Sequence, residues 1–254
     1  MQILLVNDDG IHAPGLHAMH QALREWGDVE VVAPQVEQSG MSHRITYLHP
    51  MMAKEVEKDG QHFGWALDGS PADCTKMGVV EFCKQEPDLI VSGINSGSNV
   101  GINVLYSGTV AAAIEGALFG ITSIAVSLSQ GTPPDYDSTA EHARSLIRQI
   151  LERVPEKGRL WTINYPDTTS EGPKGVRFAP MGVRRPIDAV EKRIDPRGRP
   201  YYWSGIDPPS GPHLEEETDV RDVNQGYVAV TPLHFDLTET SLLQRCRQFD
   251  WGID

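Results

Sequence analysis

The sequence predicts an α/β fold of the doubly wound kind, with helices on both faces of a mostly parallel sheet. Three observations carry this. Short, near-continuous apolar runs recur along the chain: QILLVN (2–7), DVEVVAP (28–34), PDLIVSGIN (87–95), SIAVSL (123–128) and LWTINYP (160–166). Strands covered on both faces read this way. Helical stretches separate several of these runs. The first 34 residues read strand, loop, helix, strand, the right-handed crossover unit of a parallel sheet.

The elements follow in order. After the first strand, APGLHAMHQALREWG places Leu16, Met19, Leu23 and Trp26 at helical spacing. Pro14 suits the first helical turn and Gly27 the stop. The polar stretch 35–46 reads as loop, and HFGWALDG (62–69) as a strand. Ser70 and Pro71 then mark the start of a helix. The strand at 87–95 runs into SGSNVGINVLYSG, a loop rich in Gly, Asn and Ser. TVAAAIEGALFG is a helix of small residues, able to lie close on a sheet. AEHARSLIRQILERV (140–154) puts Ala143, Leu146, Ile147, Ile150, Leu151 and Val154 on one face.

Beyond about residue 175 the texture changes. DPRG sits between strand-like runs and predicts a protruding hairpin within VRFAPMGVRRPIDAVEKRIDPRGRPYYWSG. GPHLEEETDVRDVNQG reads as acidic loop, YVAVTPL (227–233) as a strand, and TETSLLQRCRQFDWG as a short terminal helix. The expected organisation is a single α/β domain over 1–254. Its core spans about 1–180, and 181–254 forms an extension.

The chain has 254 residues, 39% of them apolar and 22% charged, with a formal net charge of −13. That acidity argues against a nucleic acid polymer as partner, since backbone binding needs clustered Lys and Arg. A small anionic substrate remains compatible if a cation compensates locally. Cys74, Cys83 and Cys246 are odd in number and widely spaced, which suggests neither a disulfide framework nor a zinc knuckle. No signal peptide is read at the N-terminus, and no apolar run approaches the roughly 20 residues of a membrane helix. A cytoplasmic protein is expected.

The chemistry starts at NDDG. Asp8 and Asp9 lie side by side just past the first strand. Adjacent carboxylates repel and raise one another's pKa, and a hard divalent cation such as Mg²⁺ or Mn²⁺ would offset this. The alternative is a turn that opens a helix, with the acids near its positive end. Asn95 and Ser39 offer neutral oxygens from two other strand-end loops, or serve as turn residues. Ser107, Gly108 and Thr109 stand where a loop becomes a helix, which fits either a phosphate seat on free N–H groups or plain capping. Neither G-x-G-x-x-G nor G-K-[ST] is present, so both common nucleotide fingerprints are missing. His12, His43 and His234 read as structural or surface residues. A carboxylate metal site beside an anion seat describes phosphoryl chemistry.

ILLVNDDGIHAPG, SGINSGSNVGINVLYSGTVAAAIEG and GYVAVTPL, in this order, resemble the SurE family, the survival-protein 5′-nucleotidases. The likeness is strongest over 1–46, 65–128 and 218–235 and thin over 131–175. It implies a Rossmann-like three-layer α/β/α sandwich and a divalent-metal-dependent phosphatase acting on nucleoside 5′-monophosphates. Some members also take 3′-nucleotides and short polyphosphate. By motif, the metal ligands fall on Asp8, Asp9, Ser39 and Asn95, with one Mg²⁺ or Mn²⁺ per subunit. Asp8 and Asp9 would also be catalytic, and Asn95, Ser107, Gly108 and Thr109 would bind substrate phosphate. The family forms homodimers that exchange C-terminal segments, and homotetramers through a projecting hairpin. The run 180–205 and about the last 25 residues match those regions. Met41, His43, Ser70 and Asn103 depart from the family's usual residues and bear on substrate preference. A non-catalytic phosphate or nucleotide sensor using the same crevice is the rival reading.

Overall fold

The computed structural model describes residues 1–130, 133–167, 172–183, 188–206 and 217–252. Its centre is the first strand, β1 (Gln2–Val6), which has no exposed residue. Successive side chains of a strand point to opposite faces. Accordingly Ile3 and Leu5 join one apolar cluster, and Leu4 and Val6 join another on the far side.

α1 (Pro14–Leu23) buries Leu16, Met19 and Leu23, the predicted face, on the Ile3–Leu5 side. Replacing such a fully buried Leu by Ala costs about 2–5 kcal/mol. β2 (Asp28–Pro34) then lies parallel to β1. β3 (Ala53–Lys58) and β4 (Gln61–Leu67) form an antiparallel hairpin, and β4 lies parallel to β2. The sequence reading missed β3. Its AKEVEK is mostly exposed, so it carries no apolar signature. Its mark is the turn instead: Asp59 and Gly60 both have positive φ, 54° and 73°, as a type I′ hairpin requires.

α2 (Pro71–Met77) is capped as expected by Ser70, with Asp73 completing the reciprocal box, and runs into a π-helical turn at Gly78–Phe82. β5 (Leu89–Ser96) pairs with the other side of β1. A short 3-10 helix (Gly101–Leu105) leads to α3 (Gly108–Leu118). β6 (Ser123–Leu128), α4 (Tyr136–Arg153) and β7 (Leu160–Tyr165) continue the winding. α4 begins four residues before its apolar stripe, because the Asp135 side chain caps it by accepting from Ser138 N at 3.0 Å.

The last third differs more. β8 (Val176–Phe178) does not belong to a projecting hairpin; it joins the main sheet beside β11 (Val228–Leu233). β11 itself runs antiparallel to β7. The hairpin is β9 (Asp188–Ile194) with β10 (Pro200–Ile206), closed over Asp195, which accepts from Arg197 N and Arg199 N. α5 (Asp219–Asn224) stands within the stretch read as acidic loop. α6 (Thr240–Cys246) is the expected terminal helix and buries none of its residues.

The nine-stranded sheet has the order β3-β4-β2-β1-β5-β6-β7-β11-β8, and a separate two-stranded sheet is the hairpin. The six central strands β4 to β7 are parallel. α1 and α4 cover one face, while α2 and α3 cover the other. The fold is the Rossmann-like α/β/α sandwich. The chain winds outward in both directions from β1, so the crevice for a ligand lies past the carboxyl ends of β1 and β5.

Candidate active site

β1 ends in Asn7, whose buried amide closes the turn. Its Nδ2 donates to Gly10 O at 3.0 Å and its Oδ1 accepts from Gly10 N at 3.3 Å. Gly10 has φ +101°, a region that side chains with a Cβ avoid. The tight bend sends both following carboxylates into the crevice rather than to opposite faces.

Asp8 is 3% exposed. Its Oδ1 accepts from the Thr109 hydroxyl at 2.6 Å. Burial pushes its pKa up to about 6, and the neighbouring Asp9 charge adds to that, while the Thr109 hydrogen bond pulls it down. Asp9 is likewise raised, first by burial and then by Glu37, against the lowering effect of its bond from Ser96 N at 3.0 Å. Two partly desolvated acids with pKa values pushed up form a place that favours positive charge.

Gly108 is pressed against this pair. A Cβ there would stand 2.8 Å from Asp8 Cβ and 2.9 Å from Asp8 Oδ2. Only glycine lets the helix start approach so closely. Ser107 accepts from Val110 N at 3.1 Å and so caps α3. The first N–H groups of the helix therefore open beside the carboxylates, at the positive end of its dipole.

Asn95 is 8% exposed, at the end of β5. Its Nδ2 donates to Gly97 O at 2.7 Å, which turns the amide so that the carbonyl oxygen is the free ligand atom. The loop after β2 is stitched to the same crevice through its backbone: Gln38 N donates to Asp8 O at 2.8 Å. Asp8, Asp9, Asn95 and 107–109 are thus brought together by direct contacts or through Ser96. Ser39 arrives by its backbone neighbour alone. Its exposed hydroxyl donates to Glu37 Oε1 at 2.7 Å, the acid beside Asp9.

Several residues escaped the sequence reading. Glu37 is a third acid near Asp9. Asn99 donates through Nδ2 to Ser127 Oγ at 2.9 Å and to Thr109 Oγ1 at 3.4 Å. Asn164 holds Asn99 in turn. The readable signal for Asn164 was a lone amide inside the fully buried strand LWTINY. His43, read as structural or surface, bonds Glu115 Oε2 at 2.9 Å, and Ser42 N donates to Tyr106 O at 3.0 Å. These two contacts lace the Ser39 loop to the α3 region. An apolar cavity of about 730 Å³ runs from His43 and Ser107 along α3 to Trp161 and Phe235.

The residues fit a hard cation. Among the described residues no group of three or more His, Cys, Asp and Glu is placed to hold a metal. Two carboxylates with neutral amide and hydroxyl oxygens are the donor set that suits Mg²⁺ or Mn²⁺ keeping several waters, and the upward push on Asp8 and Asp9 is what such an ion would relieve.

The model of the family "Survival protein SurE" matches residues 3–188. A 5′-nucleotidase SurE of Rhodopirellula baltica is 50% identical over 254 residues, covering 100% of this chain and 99% of that one. That of Heliobacterium modesticaldum is 43% identical, covering 99% and 92%. Among solved structures, the SurE protein of Aquifex aeolicus superposes with a TM-score of 0.84 at 38% identity, covering 97% of this chain and 98% of that one.

Proposed function

We propose that this chain, which belongs to the SurE family, is a 5′-nucleotidase: a divalent-metal-dependent hydrolase that splits nucleoside 5′-monophosphates into nucleoside and phosphate. The observation that carries the reading is the 2.6 Å contact from Thr109 to Asp8. It joins the acids suited to a cation directly to the helix start suited to phosphate. Full-length relatives named 5′-nucleotidase SurE support the substrate.

In this reading Asp8, Asp9, Asn95 and Ser39 hold one Mg²⁺ or Mn²⁺. Bound there, the ion would polarise a phosphoryl oxygen and lower the pKa of a coordinated water. The chain's own residues do the rest. N–H groups at the start of α3, that of Gly108 first, donate to phosphoryl oxygens and stabilise charge that grows during attack, while the Thr109 N–H also faces the Asp8 carboxylate. Asp9, less buried than Asp8, orients the attacking water and takes its proton. Thr109 keeps Asp8 ionised and aligned. The water oxygen bonds to phosphorus, the bond to the nucleoside oxygen breaks, and that oxygen leaves with the proton Asp9 took from the water.

Exposed apolar residues support an assembly of several copies. Phe235, Leu237, Leu242, Leu243, Phe249 and Trp251 stand open on the C-terminal segment, and Tyr202 and Trp203 on the hairpin. A homodimer that exchanges C-terminal segments, and a homotetramer through the hairpin, would cover them. Cys74, Cys83 and Cys246 are free thiols, which suits a cytoplasmic setting. No helix among the described residues is long and apolar enough to cross a membrane.

The test is a panel of 5′- and 3′-monophosphates and short polyphosphate, each with Mg²⁺ or Mn²⁺. Turnover of 5′-monophosphates that a chelator abolishes is expected. Binding of phosphate without turnover of any substrate would instead establish the sensor reading.

A further inference from the structure

We infer that Asn164 and Asp219 are positioning residues, which together clamp the 97–101 bend and thereby set the helix start that takes the substrate's phosphate. The inference rests on the reading above and adds two residues from outside the site loops.

Asn164 lies near the end of β7 and is 1% exposed. Its Oδ1 accepts from Asn99 N at 2.8 Å, and its Nδ2 donates to Asn99 O at 3.3 Å. One side-chain amide therefore engages both backbone groups of one residue, as a neighbouring strand would. Asn99 then spends its own amide on Ser127 Oγ and Thr109 Oγ1. Thr109 passes the alignment to Asp8.

Asp219, at the start of α5, is fully buried. Its Oδ2 accepts from Gly101 N at 2.8 Å, while Oδ1 accepts from Gly182 N at 2.9 Å and Val220 N at 2.8 Å. Gly101 has φ +58°, and a Cβ on it would meet Val220 Cγ2 at 2.8 Å. Gly101 opens the 3-10 helix, and Tyr106 N closes that turn on Asn103 O, just before the Ser107 cap. A short rigid segment thus links the second clamp to the helix start.

The bend needs such anchors. SGSNVG has no apolar run to bury, and its glycines favour no single backbone path. Two buried side chains from distant segments supply the order that the loop lacks. Asp8 and Asp9 depend on other bonds, to Asn7's turn and Ser96 N. The clamp therefore acts first on the helix start that takes phosphate and reaches the cation's ligands only at second hand, Asp8 through Thr109 and Asn95 through Gly97.

The experiment compares full-length wild type with Asn164→Leu and Asp219→Asn. Inorganic phosphate and Mn²⁺ binding are measured by calorimetry, KM and kcat with a 5′-monophosphate, and folding by melting. Each folded variant is expected to bind phosphate about tenfold more weakly, with KM raised in step, and to lose Mn²⁺ affinity by a smaller factor than phosphate affinity. A purely structural role would lower the melting temperature and leave phosphate affinity and KM unchanged in folded protein, and that result overturns the inference. Hydrogen exchange in wild type keeps the test decisive if a variant fails to fold. The Asn99 and Gly101 amides should be protected like strand amides, and rapid exchange at both overturns the clamp. A wild type that neither turns over nucleotide nor binds phosphate would remove the parent reading; an active wild type with unchanged variants removes only the clamp.

Discussion

The hydroxyl of Thr109 donates to Oδ1 of Asp8 across 2.6 Å, joining residues 101 positions apart in sequence. One oxygen thus spans two functions, steadying a buried carboxylate while belonging to the first turn of α3. Replacing Thr109 by Val keeps the shape and removes the donor. A buried charged acceptor left unpaired costs about 1–3 kcal/mol, so the melting temperature should fall. The proposed nucleotidase activity should fall by about a hundredfold. Thr109→Ser, which keeps the hydroxyl, should stay within about threefold of wild type. Steady-state kinetics and thermal melts on the two variants check this. Equal losses in both would dissociate the hydroxyl from the function.

Gly108→Ala tests the close approach. In a helix Ala is ordinarily favoured over Gly by roughly 0.5–1 kcal/mol. Here the added methyl would stand 2.8 Å from Asp8 Cβ and 2.9 Å from its Oδ2. Such contacts must be relieved by moving the carboxylate or the helix. The expected outcome is a destabilised protein with kcat/KM reduced at least about tenfold. A more stable and fully active variant would mean that the two elements are free to separate.

Asp8→Asn and Asp9→Asn should abolish phosphatase activity and leave the metal-free fold intact. Each removes one charge from a pair that burial disfavours, with Asp9 also repelling Asp8 and Glu37 repelling Asp9. Without added metal the melting temperature of either variant should equal or exceed that of wild type. Wild type should gain stability with Mn²⁺ by mass action, and the variants should not. Melting curves with and without Mn²⁺ give the answer, and full activity in either variant would refute the metal role.

Much of this was legible in the sequence because parallel strands buried on both faces cannot hide. QILLV, LIVSGIN and SIAVSL announce themselves by lack of alternation. The carboxylate pair and the helix start were equally plain, since strand-end loops in such folds converge. β3 was not, because an exposed edge strand carries its information in the Asp59-Gly60 turn. The roles of Asn99, Asn164 and Asp219 were hidden for a different reason. Each acts through a hydrogen bond to a residue remote in sequence, and no local pattern encodes that.

Acid sensitivity should trace in part to His20. Burial lowers its pKa to about 4, helped by the nearby cations of Arg24, His17 and Lys58. It sits at the edge of the Phe63 ring, at 4.9 Å, while His17 stacks on the same ring. The folded protein thus prefers the neutral imidazole, whereas the unfolded chain takes up a proton near pH 6.5. Stability from this group is complete above pH 6.5 and is lost as pH falls from there toward 4. The group is partly open to solvent, so screening leaves a loss of about 1 kcal/mol. Urea midpoints at pH 7 and pH 4.5 should converge in His20→Gln relative to wild type. An unchanged pH dependence would place the sensitivity elsewhere.

The C-terminal segment offers the last test. α6 buries none of its residues within its own subunit, yet it presents Leu242 at 48% and Leu243 at 38% exposure. Phe249 and Trp251, 61% and 63% exposed, follow it. Apolar side chains concentrated on a helix with no buried residue are the mark of a partner surface. The double variant Leu242→Glu, Leu243→Glu adds charge where an exchanged segment would dock and touches no fully buried position of the subunit. Sedimentation should show wild type as a dimer or larger and the variant as a monomer. The subunit's secondary structure should be unchanged by circular dichroism. If the variant keeps the wild-type mass, the segment does not hold the assembly together, and the hairpin aromatics Tyr202 and Trp203 become the surface to alter next.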